Sequence, residues 1–192
     1  MSRQLPPRPN LEYLRKEAKD LLETLLRQDQ SAQLSDAQHA LAREYGFASW
    51  PALKASVEDR RAAFDQGARL FAGVWKVDLA RSQRHPANQF QSATIVFDVD
   101  GQDLRMSDVF VDEAGREEQH VNTIRADGRE RAKEPRRGYS VRASWRDPYT
   151  LETVGLKDGQ PIGGATYGVS RDGRTLTISA DQQMIVLDRV DA

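Results

Sequence analysis

The sequence predicts an α+β chain, an N-terminal three-helix module followed by an antiparallel up-and-down β-barrel. Three observations carry this prediction. Of 13 glycines, only Gly46 and Gly67 fall in residues 1–70, and the rest lie in 71–192. The first stretch is rich in Leu, Ala, Glu, Arg and Gln, which are strong helix formers. The second holds most of the Val, Thr and Ile, which fit a pleated surface, and is punctuated by Asp-Gly pairs that favour tight turns.

The helices follow in order. Prolines 6, 7 and 9 predict an extended arm over 1–9. Asn10 is a good N-cap for a helix over about 11–28, whose apolar positions Leu11, Leu14, Ala18, Leu21, Leu22 and Leu25 recur at helical spacing. Glu12 and Lys16 form a favourable i,i+4 pair. Ser35 with Gln38 reads as a capping box for a second helix with Ala37, Leu41, Ala42 and Tyr45 on one face. Gly46 is its natural C′ residue. Ser49 caps a third helix that tolerates Pro51 in its first turn, shows Trp50, Leu53 and Val57, and runs on toward Phe64 or Leu70.

The strands follow from period-2 alternation. Val74–Leu79, Ala93–Val99, Leu104–Val111, Glu118–Arg125, Tyr139–Trp145, Thr150–Lys157, Ala165–Ser170, Thr175–Ala180 and Met184–Val190 make about nine strands in about 118 residues. Asp100-Gly101, Asp127-Gly128, Asp158-Gly159 and Asp172-Gly173 are the hairpin signals, with Ala114-Gly115 a weaker one. Short strands joined by tight turns with no helical pattern between them argue a meander, and a meander closes into a barrel to remove its edges. The expected domains are therefore an arm over 1–9, a helical module over 10–70 and a barrel over 71–192.

Composition excludes several classes. The chain has 192 residues, 28 Lys+Arg, 29 Asp+Glu, a net charge of -1 and no Cys. Disulfides, Cys-zinc sites and thiol catalysis are removed together. Both parts are close to neutral, so neither is a general grip for nucleic acid or anionic membrane. No apolar run approaches the 18 or so residues of a membrane span, and the N-terminus lacks the apolar core of a secretory signal, so the expected compartment is the cytoplasm.

Two resemblances add to this reading. Gly73-Val74-Trp75 on the opening strand, with Arg189 in Leu187-Asp188-Arg189-Val190, resembles the Gly-x-Trp motif of lipocalin-like (calycin) barrels. The Ala80-Arg81-Ser82 run, the Asp127-Gly128 pair and Val169–Thr177 are similar to a bacterial family of small lipocalin-like proteins of unassigned function. The resemblance covers about 73–190 and implies a lipocalin-like fold in which Trp75 closes one end and packs against Arg189, with Gly73 beside them. The cysteines and signal peptide of secreted lipocalins are absent. Leu11–Leu22, Leu34–Gln38 and Ala42–Lys54, above all Gly46-Phe47-Ala48-Ser49-Trp50-Pro51-Ala52-Leu53, are similar to an N-terminal helical module that precedes ankyrin repeats in bacterial proteins. That resemblance implies a packing or adaptor element with no catalytic role, and no ankyrin period follows it.

Chemistry-bearing constellations are sparse. The histidines are His39, His85 and His120, none at helical i,i+4 spacing, so no metal site and no cofactor are expected. No nucleophile elbow, Walker or dinucleotide motif is present; Gly163-Gly164 fits a barrel bend. Ala42–Trp50 resembles a helix-turn-helix core, but the following helix mixes Lys54, Arg60 and Arg61 with Glu58 and Asp59, which disfavours nucleic acid. The basic stretch Arg125, Arg129, Arg131, Lys133, Arg136 and Arg137 reads as a loop near one barrel mouth, either attracting an anion or simply solvated. The barrel interior is the main candidate: Met106, Phe110, Tyr139, Trp145 and Tyr167 would supply walls, and Asp108 and His120 would orient a polar group. Equally, those aromatics can fill the barrel. The expected function is non-catalytic binding of a small apolar or amphipathic ligand, with the helical module covering the barrel or mediating homo-oligomeric assembly. An interaction protein working through its helices, and an enzyme using His120, Asp108 or Tyr139 for acid–base chemistry, stay open.

Overall fold

A computed structural model describes residues 2–86, 89–100 and 103–190. The chain divides into two compact units, Met1–Phe64 and Asp65–Ala192.

The first unit is built by α1 (Leu11–Leu26), α2 (Leu34–Glu44) and most of α3 (Trp50–Arg69), and the division falls inside α3. Asn10 caps α1, its side chain accepting from the Glu12 and Tyr13 amides. Gln33, not Ser35, is the N-cap of α2, and Asp36 accepts from the Gln33 amide at 2.8 Å. The helix starts earlier than the Ser35–Gln38 pair suggests because Asp36 can reach back to a free amide as well as Gln38 could. Glu12 pairs with Arg15. Gly46, at φ +82°, ends α2 in a Schellman arrangement, its amide bonding Arg43 O and the Phe47 amide bonding Ala42 O, both at 2.9 Å. The left-handed turn requires glycine here. Ser49 Oγ accepts from the Ala52 amide at 3.3 Å and starts α3. Leu14, Ala18, Leu41, Ala42, Tyr45, Leu53 and Val57 form the core, with Phe47 and Trp50 packed against it. The arm is tied to this unit. Arg3 pairs with Glu17 at 2.6 Å and lies 4.6 Å over the Tyr45 ring.

The second unit is an antiparallel up-and-down barrel of ten strands, completing an α+β chain. They are β1 (Gly73–Gln83), β2 (Ser92–Asp100), β3 (Asp103–Val111), β4 (Glu117–Arg125), β5 (Asp127–Glu134), β6 (Tyr139–Asp147), β7 (Thr150–Lys157), β8 (Gln160–Val169), β9 (Thr175–Ala180) and β10 (Gln183–Arg189). The hydrogen-bonded order is β4-β3-β2-β1-β10-β9-β8-β7-β6-β5. First and last strands pair, and the barrel is nearly closed, with one seam between β4 and β5.

The seam corrects the sequence reading twice. The stretch after Arg125 is a strand rather than a loop, held by pairing of Glu130 with Arg142, Arg131 with Val141 and Ala132 with Ser140. It was illegible because it carries almost no apolar residue to alternate. Nor does Asp127-Gly128 turn a hairpin. A single residue, Ala126, separates β4 from β5, too short a link for paired strands, so the two diverge. Charged side chains along both edges discourage further pairing. Gly101 of the Asp100-Gly101 pair lies outside the described residues; the Ala114, Asp158 and Asp172 turns each join consecutive strands.

Candidate functional site

The two ends of the barrel differ. At the end where β1 begins, the interior is solid. Trp75, Phe71, Phe97, Leu104, Leu151, Leu176 and Leu187 are fully buried. Phe71 meets Phe97 and Trp145 edge-on, at 6.3 and 5.2 Å between centroids. The Trp75 indole donates to Phe71 O at 2.8 Å. The Arg189 guanidinium stacks over the Trp75 ring at 4.2 Å. It donates to Ala72 O at 2.7 Å, to Gly173 O at 2.5 Å and to Leu70 O. Gly73 has φ +132°, and a Cβ there would run into Arg189 Nη1. The end is thus stitched shut by one cation satisfying three carbonyls of two different turns.

At the other end lies a cavity of about 270 Å³ lined by Gln89, Phe90, Phe110, Asp112, Glu118 and His120. The β2–β3 and β3–β4 registers create it. Ile95 pairs with Asp108 and Ala93 with Phe110, while Asp108 pairs with His120 and Phe110 with Glu118. Period-2 alternation therefore turns Asp108, Phe110, Glu118 and His120 to one face. Phe90 and Phe110 meet at 5.6 Å with planes at 75°, and the Phe110 ring lies 6.4 Å from the His120 ring. Beneath them Asp108 is 4% exposed, and its carboxylate contacts His120 Nδ1 at 3.1 Å through Oδ2. A carboxylate only accepts, so Nδ1 carries the proton and Nε2 is the remaining ring nitrogen. The His120 side chain is 54% exposed, since β4 is an edge strand.

The sequence-predicted residues separate along the barrel axis. Asp108, Phe110 and His120 come together at the cavity. Met106 pairs with Asn122 and Phe97 one step deeper on β3. Tyr167 packs on Phe97 at 6.2 Å. Burial, and then the charge of Asp108, push its hydroxyl above the ordinary tyrosine value, against a hydrogen bond with Thr153. Trp145 belongs to the solid end. Tyr139 stands at the start of β6 with Lys157 Nζ 5.5 Å from its ring centre. Sequence reasoning missed Gln89, Phe90, Asp112 and Glu118. Glu118 shares the parity of His120 and was findable on that ground. Phe90 precedes its strand, where no alternation marks it.

Three of the six basic side chains of the basic stretch are ion-paired among the described residues. Arg131 grips Asp127 through two contacts of 2.7 Å, Arg125 faces Asp103 at 3.4 Å, and Arg137 faces Glu134 at 3.5 Å. The Arg131 guanidinium holds the Asp127 carboxyl well below the usual carboxylate range. Lys133 reaches across the seam to Asn122 Oδ1 at 3.5 Å.

No family model matches the sequence. No curated protein matches it either. Among solved structures, the chain is similar to a mutant of the fluorescent protein UnaG, with 13% identity over 65% of this chain and 99% of that one and a TM-score of 0.46. It is also similar to the REP1-NXSQ fatty acid transporter, with 15% identity over 63% and 96% and a TM-score of 0.44. For As-p18, an extracellular fatty acid binding protein, the values are 15%, 64%, 97% and 0.43. None of the described helices is long and apolar enough to cross a membrane.

Proposed function

We propose that the protein is a non-catalytic binder of a small amphipathic molecule, held at the open end of the barrel. One observation carries the reading. A cavity of about 270 Å³ has aromatic walls, Phe90 and Phe110, and places a polar pair, Asp108 and His120, on the same face. Apolar walls with a few convergent polar groups are the general form of a ligand site, and this volume sits just below the roughly 300–1,000 Å³ typical of drug-sized ligands. Met106 and Tyr167 extend the interior toward the solid end. The helical unit acts in assembly or partner contact, a role supported by Tyr13, which is exposed on α1. A cytoplasmic setting accords with the absence of Cys.

Native mass spectrometry of protein purified from its own host tests the proposal. The expected spectrum shows one small molecule per chain, lost on denaturation. A native mass equal to the bare chain, together with no uptake of small aromatic probes, would overturn it.

A second reading, acid–base catalysis, is favoured by the Asp108–His120 pair, which is the geometry that orients an imidazole as a base. No Ser, Thr, Tyr or Lys lines the cavity among the described residues, so that chemistry would have to act on a water. Turnover lost in His120→Asn with binding retained would favour it over simple binding.

A further inference from the structure

The chemical class of the ligand follows from which hydrogen-bonding groups the cavity leaves unused, and the argument rests on the cavity being the binding site. Each polar lining group can be followed to its partner. Gln89 Nε2 donates to His85 O at 3.0 Å, which leaves its Oε1 as an acceptor and its second N–H as a donor. His120 turns Nδ1 to Asp108, which in the neutral imidazole leaves Nε2 as an acceptor. Asp112 is committed to its own turn. Its Oδ1 accepts from the Ala114 and Arg116 amides at 2.9 and 2.8 Å, and its Oδ2 pairs with Arg116 Nε at 2.7 Å. The Glu118 side chain makes no hydrogen bond or ion pair among the described residues, so its carboxylate is an uncommitted charge at the cavity wall.

Two arginines stand beside the cavity. No Lys or Arg lines it among the described residues. Arg84 donates to Phe90 O at 2.7 Å and lies 5.5 Å from the Phe90 ring centre, while Arg116 is held by Asp112. What remains open is three acceptors, Gln89 Oε1, Glu118 and His120 Nε2, against one donor, the second Gln89 amide N–H, beside two aromatic rings set nearly at right angles, with the buried Asp108 carboxylate behind. A ligand carboxylate entering this space finds a single open donor, the second Gln89 amide N–H, and meets two carboxylates of like charge. A ligand ammonium finds acceptors, a counter-charge and ring faces that attract cations.

We infer that the cavity takes a compact organic cation, a protonated amine on an apolar or aromatic arm, and rejects fatty-acid-like anions. The amine donates to Glu118 and His120 Nε2, and its arm packs on Phe90 and Phe110. Asp108 acts as a positioning residue by keeping the His120 proton on Nδ1.

Isothermal titration of the full chain at pH 8 with 2-phenylethylammonium and with phenylacetate tests this, since the two probes share a ring and differ in charge. The ammonium is expected to bind about tenfold tighter or more. Glu118→Gln is expected to lower ammonium affinity several-fold while leaving the unfolding midpoint unchanged, because the side chain is exposed on an edge strand. Phenylacetate binding as tightly as the ammonium, or ammonium affinity indifferent to Glu118→Gln, overturns the cation assignment and leaves the cavity standing as a site. Failure of both probes to bind overturns the cavity reading itself.

Discussion

The two ends of the barrel use the same materials, aromatic rings and one cation, for opposite purposes. At the solid end Arg189 covers Trp75 and satisfies the carbonyls of Leu70, Ala72 and Gly173, so the end is closed by a charge whose three nitrogens are each bonded. At the open end Arg84 touches Phe90 from beside the cavity, and Phe110 and His120 are left facing space. Stability concentrates where polar groups are fully paired, and binding capacity where acceptors are left over.

The largest expected effect sharpens that contrast. Trp75→Ala empties a fully buried site and should cost about 3–5 kcal/mol in urea unfolding. Phe110→Ala, at a half-buried position, should cost under about 2 kcal/mol. Equal costs would mean that the two ends are packed alike and that the cavity is part of one continuous core.

A coupled effect comes next. Gly73→Ala places a Cβ at a backbone angle reserved for glycine and against Arg189 Nη1, and should cost about 1–3 kcal/mol. Arg189→Met removes the clash along with the three hydrogen bonds. The Gly73 substitution should therefore cost less in the Arg189→Met background than in the wild type. Strict additivity in this double-mutant cycle would show that the backbone angle alone, and not the guanidinium, demands the glycine.

How much of this was readable beforehand follows the periodicity. Strands whose inward residues are apolar, such as Ala93-Ile95-Phe97 on β2 or Ala143-Trp145 on β6, announce themselves at period 2, and these residues are buried. β5 did not, because Arg129, Arg131 and Lys133 alternate with Glu130, Ala132 and Glu134 and give no apolar face. Its existence depends on β6 offering an edge, a long-range fact. Asp108 and His120 were legible as same-parity neighbours, but the cavity was not. Its floor is set by register between three strands, and Phe90 enters from a link with no repeating pattern. Trp145 was placed among the walls because alternation identifies a face and says nothing of depth along the barrel axis.

A smaller effect tests how Asp108 reaches into the interior. Its charge raises the Tyr167 hydroxyl above the ordinary value, second to burial. A tyrosine raised above its unfolded value favours the neutral form in the folded state. That contribution is present below about pH 10 and is lost as pH rises through the folded value. Asp108→Asn should bring the Tyr167 titration down, read by ultraviolet difference absorbance, with burial keeping it above the exposed tyrosines. An unchanged titration would separate Tyr167 electrically from the polar pair at the cavity.

The smallest expected effect lies at the seam, away from both ends. Asp127 is depressed chiefly by Arg131, then by the Arg129 amide and by Arg131 and Arg125 as charges, against the cost of its burial. A carboxyl depressed on folding contributes stability that is present above its unfolded value of about 3.9 and is lost as pH falls toward the folded one. Arg131 is partly exposed, so solvent screens the pair and the contribution is modest. Asp127→Asn should therefore be slightly less stable than the wild type at pH 7, with the gap narrowing in urea unfolding as pH drops from 5 toward 2. A gap that stays constant with pH would mean that Asp127 holds the start of β5 through its hydrogen-bonding shape. The seam would then be maintained by the one-residue link at Ala126 and not by charge.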